Sequence, residues 1–159
     1  MRKREARRET RGGFTLVELL AVIVIIGILT SGILLSSGAA TSSARALNIV
    51  NDLRGMKEAV LMLYIDSMDY FDKGGNFDKL APKTVLAHYV DNPEKYDDHY
   101  GFAVGGDNWF VTYTIKDSDP GAGEIKSRLA GRAESTGLFG SASRSNVYKG
   151  GNIVYMSAR

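Results

Sequence analysis

Three sets of side chains in this sequence have types and spacings that could do chemistry. Glu18 is a lone carboxylate inside residues 14–35, a run of 22 residues that holds no other charge. A charge at mid-depth in an apolar medium costs about 2.5–3.5 kcal/mol on insertion scales, so an ionisable residue there demands a partner. Asp117, Asp119 and Glu124, with Gly121 between them, place three carboxylates on one turn, the kind of oxygen-rich loop that calcium takes. Pro120 breaks the usual ligand spacing, and a solvated acidic turn is the commoner use of such residues. His88 and His99 stand eleven residues apart with no cysteine in the chain, which is not the spacing of a metal pair. No serine sits in a nucleophile-elbow context and no nucleophile–base pair is legible. Neither an enzymatic activity nor a cofactor is expected.

The partner of Glu18 is to be sought upstream. Residues 1–13 are hydrophilic, carry six basic and two acidic side chains, and end in Gly12-Gly13. A secretory signal is cut after its apolar region, at small residues. Here the apolar run continues straight into more helix-forming sequence. A cut between Gly13 and Phe14 leaves the apolar segment on the mature chain and creates an α-amino group four residues before Glu18. That amine, from the same or a neighbouring chain, is the natural counter-charge.

Arg11-Gly12-Gly13-Phe14-Thr15-Leu16-Val17-Glu18-Leu19-Leu20 resembles the processing site of type IV pilins and the related pseudopilins. The likeness covers residues 1 to about 70 and is architectural beyond that. It implies removal of a leader by a prepilin peptidase, methylation of the Phe14 amine, and assembly of identical subunits into a helical filament by an inner-membrane platform and motor. It also implies a pilin-like α+β fold, a long N-terminal helix packed on a small antiparallel sheet. Two family features are missing. The twenty-second mature position, often Pro, is Leu35, and no cysteine is present to close a C-terminal loop. Some relatives bind calcium in that loop, which is why the acids around Asp117 are kept in view.

Composition agrees with an exported subunit. The 159 residues suit one globular domain plus an N-terminal segment. The formal charge of +2 belongs to the leader, because the remainder has 14 basic and 16 acidic side chains. It is therefore no nucleic-acid signature. Basic residues are retained on the cytoplasmic side, which puts the N-terminus inside and the C-terminal domain outside.

The elements that must carry Glu18 follow from hydrophobic period. Residues 14–35 are apolar all round and would extend about 33 Å as a helix, enough for a bilayer core. Gly27, Gly32 and Gly38 lower helicity and allow close helix approach. From Ala44 the pattern turns amphipathic, with Ala46, Ile49, Val50, Leu53, Met56, Val60, Leu63 and Tyr64 on one stripe and Asn48, Asp52, Lys57 and Glu58 between. The helix is expected to run to Tyr70 or Phe71 and stop at Asp72-Lys73-Gly74-Gly75. Residues 76–99 read as a loop with a short helix over 82–90. Strands are expected at 100–104 and 109–115 around a hairpin connection at 105–108, with a last strand at 152–157. A short helix is expected at 124–133 with Ile125, Leu129 and Ala133 on one side, and a surface loop at 135–151. Trp109 and Phe110 read as sheet core, and Tyr64, Tyr70, Phe71 and Phe77 as packing around the helix end.

The domains are therefore a leader (1–13), an assembly helix (14–35) and an extracytoplasmic unit (36–159) that includes the amphipathic half, 44–71. The expected function is a structural subunit of a type IV pilus, inserted in the inner membrane as a precursor and displayed at the cell surface after assembly. A pseudopilin of type II secretion or DNA uptake is the alternative within the class. A membrane-anchored binding module is the alternative outside it.

Overall fold

The structure is a computed structural model that describes residues 13–67 and 77–159, the side chains of 32–39 excepted. The chain divides into two compact units, Met1–Ser37 and Gly38–Arg159. Helix α1, Leu16–Asp66, contributes to both.

In the first unit every side chain from 13 to 31 is exposed. Phe14 and Leu16 are each 87% accessible, so nothing among the described residues covers them. The two hydroxyls near the end of this stretch turn inward. Thr30 Oγ1 donates to the Ile26 carbonyl at 2.7 Å and Ser31 Oγ to that of Gly27 at 2.9 Å, so the helix satisfies them without water. Among the described residues no helix is long and apolar enough to cross a membrane. The described side chains of this part of α1 run from Leu16 to Ser31, about 24 Å of helix against a hydrocarbon core of about 30 Å. The expected span to Leu35 reaches beyond them.

In the second unit the period of α1 changes from all-round apolar to one stripe. Ala46, Ile49, Val50, Leu53, Met56, Val60 and Leu63 are buried at three- and four-residue spacing, with Ala59 added and Tyr64 half-buried. The helix ends at Asp66, earlier than expected; its anticipated end at 70–75 lies outside the described residues.

The stripe meets a four-stranded antiparallel sheet of order β1-β2-β4-β3: β1 Tyr100–Gly105, β2 Asn108–Thr114, β3 Leu138–Phe139 and β4 Ile153–Ser157. Alternation along each strand sorts the side chains. Phe102 faces Val111, Val111 faces Met156, and Leu138 faces Met156 across the ladder, and all four are buried with the helix stripe. Aromatic rings close the core: Phe77 stacks on Phe102 with centroids 4.4 Å apart, and Tyr64 lies 4.9 Å from Trp109. Phe110 points to the opposite face, where Phe139 and Tyr155 meet it edge-on at 6.3 and 6.4 Å.

Several boundaries differ from expectation. The hairpin loop is two residues, Gly106-Asp107, and Gly106 takes φ 60°, which only glycine adopts freely. The short helix α2 covers Pro82–Val85 and passes into turns. Helix α3, Ala122–Ala130, stops before Ala133, and a separate turn of helix, α4, covers Ala133–Thr136. Ile125, Leu129 and Ala133 are buried together nonetheless. The expected surface loop at 135–151 is the largest correction. It contributes β3, and Val147 bridges to Phe139. It also buries Leu138 and Tyr148. The Tyr148 hydroxyl donates to the Gly151 carbonyl at 2.6 Å, and burial pushes its phenol up to about 12. A buried phenol with its hydroxyl satisfied anchors a Gly- and Ser-rich segment that carries no alternating pattern of its own.

Candidate functional site

Glu18 sits at the third position of α1, and the structure shows what holds it there. Thr15, the residue before the helix, donates both its backbone N–H and its hydroxyl to Glu18 Oε2, each at 2.9 Å. In return the Glu18 N–H donates to Thr15 Oγ1 at 3.2 Å. This is a reciprocal capping box: two of the N–H groups left over at a helix start are satisfied by two side chains three residues apart. The carboxylate also lies at the positive end of the helix dipole. Thr15 was not singled out on spacing, although Ser or Thr followed three residues on by Glu, ahead of an apolar run, is the signal that finds such a cap.

Gly13 and Phe14 precede this cap in irregular, exposed backbone. The backbone at this bond lies outside the helix, which begins at Leu16. Glu18 and the Gly13–Phe14 bond thus lie at one end of one helix, where the sequence placed them.

A second polar cluster lies where α1 crosses the β1–β2 edge in the second unit. Asp52, which falls between the apolar positions of the stripe, accepts from the Tyr100 hydroxyl at 2.7 Å and pairs with Lys95. Burial first, and the Asp52 bond second, push the Tyr100 phenol far up. The Lys95 ammonium is also raised, by its bond to Asp52. Beside them His99 stands between Asp97 at 3.1 Å and Asp119 at 3.6 Å, its ring stacked on Tyr113. Arg45 donates to the Pro120 carbonyl at 2.8 Å. Groups of this kind act in catalysis when their pKa moves toward neutrality. Here the phenol moves away from it, and the bonds of Asp52 to Tyr100 and Lys95 tie the helix to β1 and the loop before it.

The calcium candidates are not brought together. Asp117 accepts from Lys126 Nζ at 2.6 Å and from the Asn152 amide, and these two bonds, in that order, hold its carboxyl below the usual range. Asp119 caps the Lys116 N–H at 2.9 Å, and Glu124 pairs with Arg128 at 3.2 Å along α3. Each acid already has a donor of its own. Among the described residues no three His, Asp or Glu side chains converge as a metal site would require. His88 is exposed in the turns after α2, and His99 belongs to the cluster beside Asp52.

No curated protein and no solved structure matches this chain. Residues 10–34, which contain the cap, the Gly13–Phe14 bond and most of the apolar run, match the family model of the prokaryotic N-terminal methylation motif, the hallmark of type IV pilin and pseudopilin prepilins.

Proposed function

We propose that this chain is the precursor of a type IV pilus subunit, structural rather than catalytic. A prepilin peptidase cuts it between Gly13 and Phe14, and the new Phe14 amine is methylated. The observation that carries the reading is a carboxylate presented at the exposed start of a helix whose apolar side chains from Leu16 to Leu29 are left uncovered among the described residues. Before assembly residues 14–35 lie in the inner membrane and the second unit lies outside. Assembly moves the helix from lipid into a bundle of like helices. Lipid is already apolar, so this transfer gains little from burial; close packing, charge pairing and the work of a motor must drive it.

Glu18 then pairs with the Phe14 amine of a neighbouring subunit and sets register between copies, a well-attested use of a buried charge. The capping box gives the carboxylate an interim partner while the subunit waits. Head-to-tail contacts of this kind do not close, so they propagate into an open filament.

Two measurements test this. N-terminal sequencing and intact mass of the exported chain should show Phe14 first, one methyl group heavier; a chain that still starts at Met1, or is cut after the apolar run, defeats the processing step. Glu18→Ala should be processed normally and yield few or no filaments. Full function with this substitution would favour a membrane-anchored binding module, in which the helix is only a tether. The sheared filament fraction separates pilus from pseudopilus: long surface fibres at native expression mark a pilin, and their absence marks a pseudopilin.

A further inference from the structure

A groove of about 410 Å³ in the second unit lies between α1, the loop before β4, and the residues that follow β4. Four cations line it: Arg54 and Lys57 from α1, Arg144 from the loop, and Arg159 from the segment after β4. No Asp or Glu side chain is among its lining residues. Elsewhere on this unit Lys83, Lys95, Lys126 and Arg128 each hold a carboxylate. Among the described residues Arg54 and Lys57 hold none.

The two remaining cations are oriented in advance. Arg144 donates through Nε at 3.0 Å and Nη2 at 2.8 Å to Ser157 Oγ, and that hydroxyl donates to the Arg159 carbonyl. The guanidinium is thereby pinned, with donors to spare. The Arg159 guanidinium stands 5.2 Å from the Trp109 ring centroid and 5.8 Å from that of Tyr64, a cation–π seat that leaves its N–H edges unused by any acid.

We propose that this groove binds an oligoanion of the phosphate class, with two or more phosphoryl groups spread across the four cations. Arginine edges match pairs of phosphate oxygens in a planar fork, and a lysine supplies a mobile point charge. Fixed donors lose little freedom on binding. The groove is larger than one tetrahedral oxyanion, which favours a chain of them over a single ion. It lies wholly in the second unit and owes nothing to residues 13–31, so it stands or falls apart from the filament reading.

Trp109 is the chain's single tryptophan and lies under Arg159, which makes it a built-in reporter. Tripolyphosphate titrated into the full chain in detergent micelles should give a saturable change in Trp109 fluorescence. Binding should be about tenfold or more tighter than with orthophosphate, since each added charge-assisted contact is worth at least that factor. Sodium chloride at matched ionic strength should not reproduce it. Lys57→Gln and Arg144→Gln should each weaken the binding by about tenfold. Lys57→Gln lies on the helix surface and should leave the melting temperature unchanged, so its effect cannot be laid to misfolding. A flat titration, a response equal to that of sodium chloride, or affinity unaltered in both variants would overturn the site.

Discussion

The two parts of α1 treat apolar surface in opposite ways. From Leu16 to Ser31 every side chain is exposed, although nearly all are apolar. From Ala46 to Leu63 an apolar stripe is buried in the second unit's own core, and only Leu47, Leu61 and Met62 among the large apolar side chains of that range stay exposed. The second stretch answers to the sheet of its own chain. The first is left exposed, and apolar surface of this extent marks an interaction site. Stability of the fold and competence to assemble should therefore depend on different residues of the same helix.

The sharpest way to break that comparison is a matched pair of truncations. Leu53 is fully buried among the stripe and the sheet, and Leu53→Ala should cost the second unit about 2–5 kcal/mol. Ile25 is 56% exposed, and Ile25→Ala should leave thermal unfolding of that unit within about 0.5 kcal/mol of the parent, the usual range for surface changes. Its effect should instead be read in membrane retention or filament yield. If Ile25→Ala lowers the melting temperature as Leu53→Ala does, the two parts of α1 are not energetically separate.

What could be read from residues alone divides along the same line. The apolar run, Glu18, the helix stripe and the β1–β2 hairpin announce themselves by local period or spacing. The clamp and the back of the sheet do not. Asp52 lies between apolar positions on a helix; only the arrival of Tyr100 and Lys95, 48 and 43 positions later, makes it an interior acceptor. Strand β3 is two residues long and has no room for alternation. Tyr148 sits in a Gly- and Ser-rich stretch whose composition signals loop, yet its ring fills the core. Non-local pairing overrides composition in each of these. Glycines tell the same story: a Cβ on Gly105 would stand 1.8 Å from the Ala142 carbonyl oxygen, a close approach visible only once the 138–148 segment is folded over β1.

Within the second unit, the clamp between α1 and β1 sets the next effect. Tyr100→Phe removes a hydrogen bond to a charged acceptor and should cost about 1.5–3 kcal/mol near neutral pH. It should also alter the pH profile. The Tyr100 phenol is raised in the fold above its ordinary 10.0, by burial first. Below about pH 10 it is protonated in both states and its contribution is complete; as pH rises further the unfolded chain ionises first and stability falls. Lys95, also raised, acts in the same direction on the alkaline side, because its charge is lost as pH climbs through its folded value. Acid stability moves oppositely and less. Burial pushes Asp97 up, but its bonds to His99 outweigh that and leave it lowered, and Lys126 lowers Asp117. Both hold their contribution above the ordinary 3.8 and lose it as pH falls through their folded values. Melting temperatures from acid to alkaline pH should show the steeper fall on the alkaline limb, made shallower by Tyr100→Phe. An unchanged alkaline limb in that variant would remove Tyr100 from the account.

The smallest expected effect bears most directly on what Glu18 is for. A capping box and an intermolecular charge pair both need this side chain, but they need different properties of it. Thr15→Ala removes the hydroxyl from the box and should cost the start of the helix about 0.5–2 kcal/mol, seen as faster amide exchange at residues 16–18 with no change in melting of the second unit. Glu18→Gln keeps an acceptor at the third helical position, so the box survives, but it removes the charge. Glu18→Ala removes both. If the carboxylate serves as a counter-charge, Gln and Ala should fail alike in filament yield while only Ala speeds exchange at the helix start. If Gln assembles as well as the parent, hydrogen bonding at the helix start is enough, and the charge that makes this position costly in an apolar setting has no role in assembly.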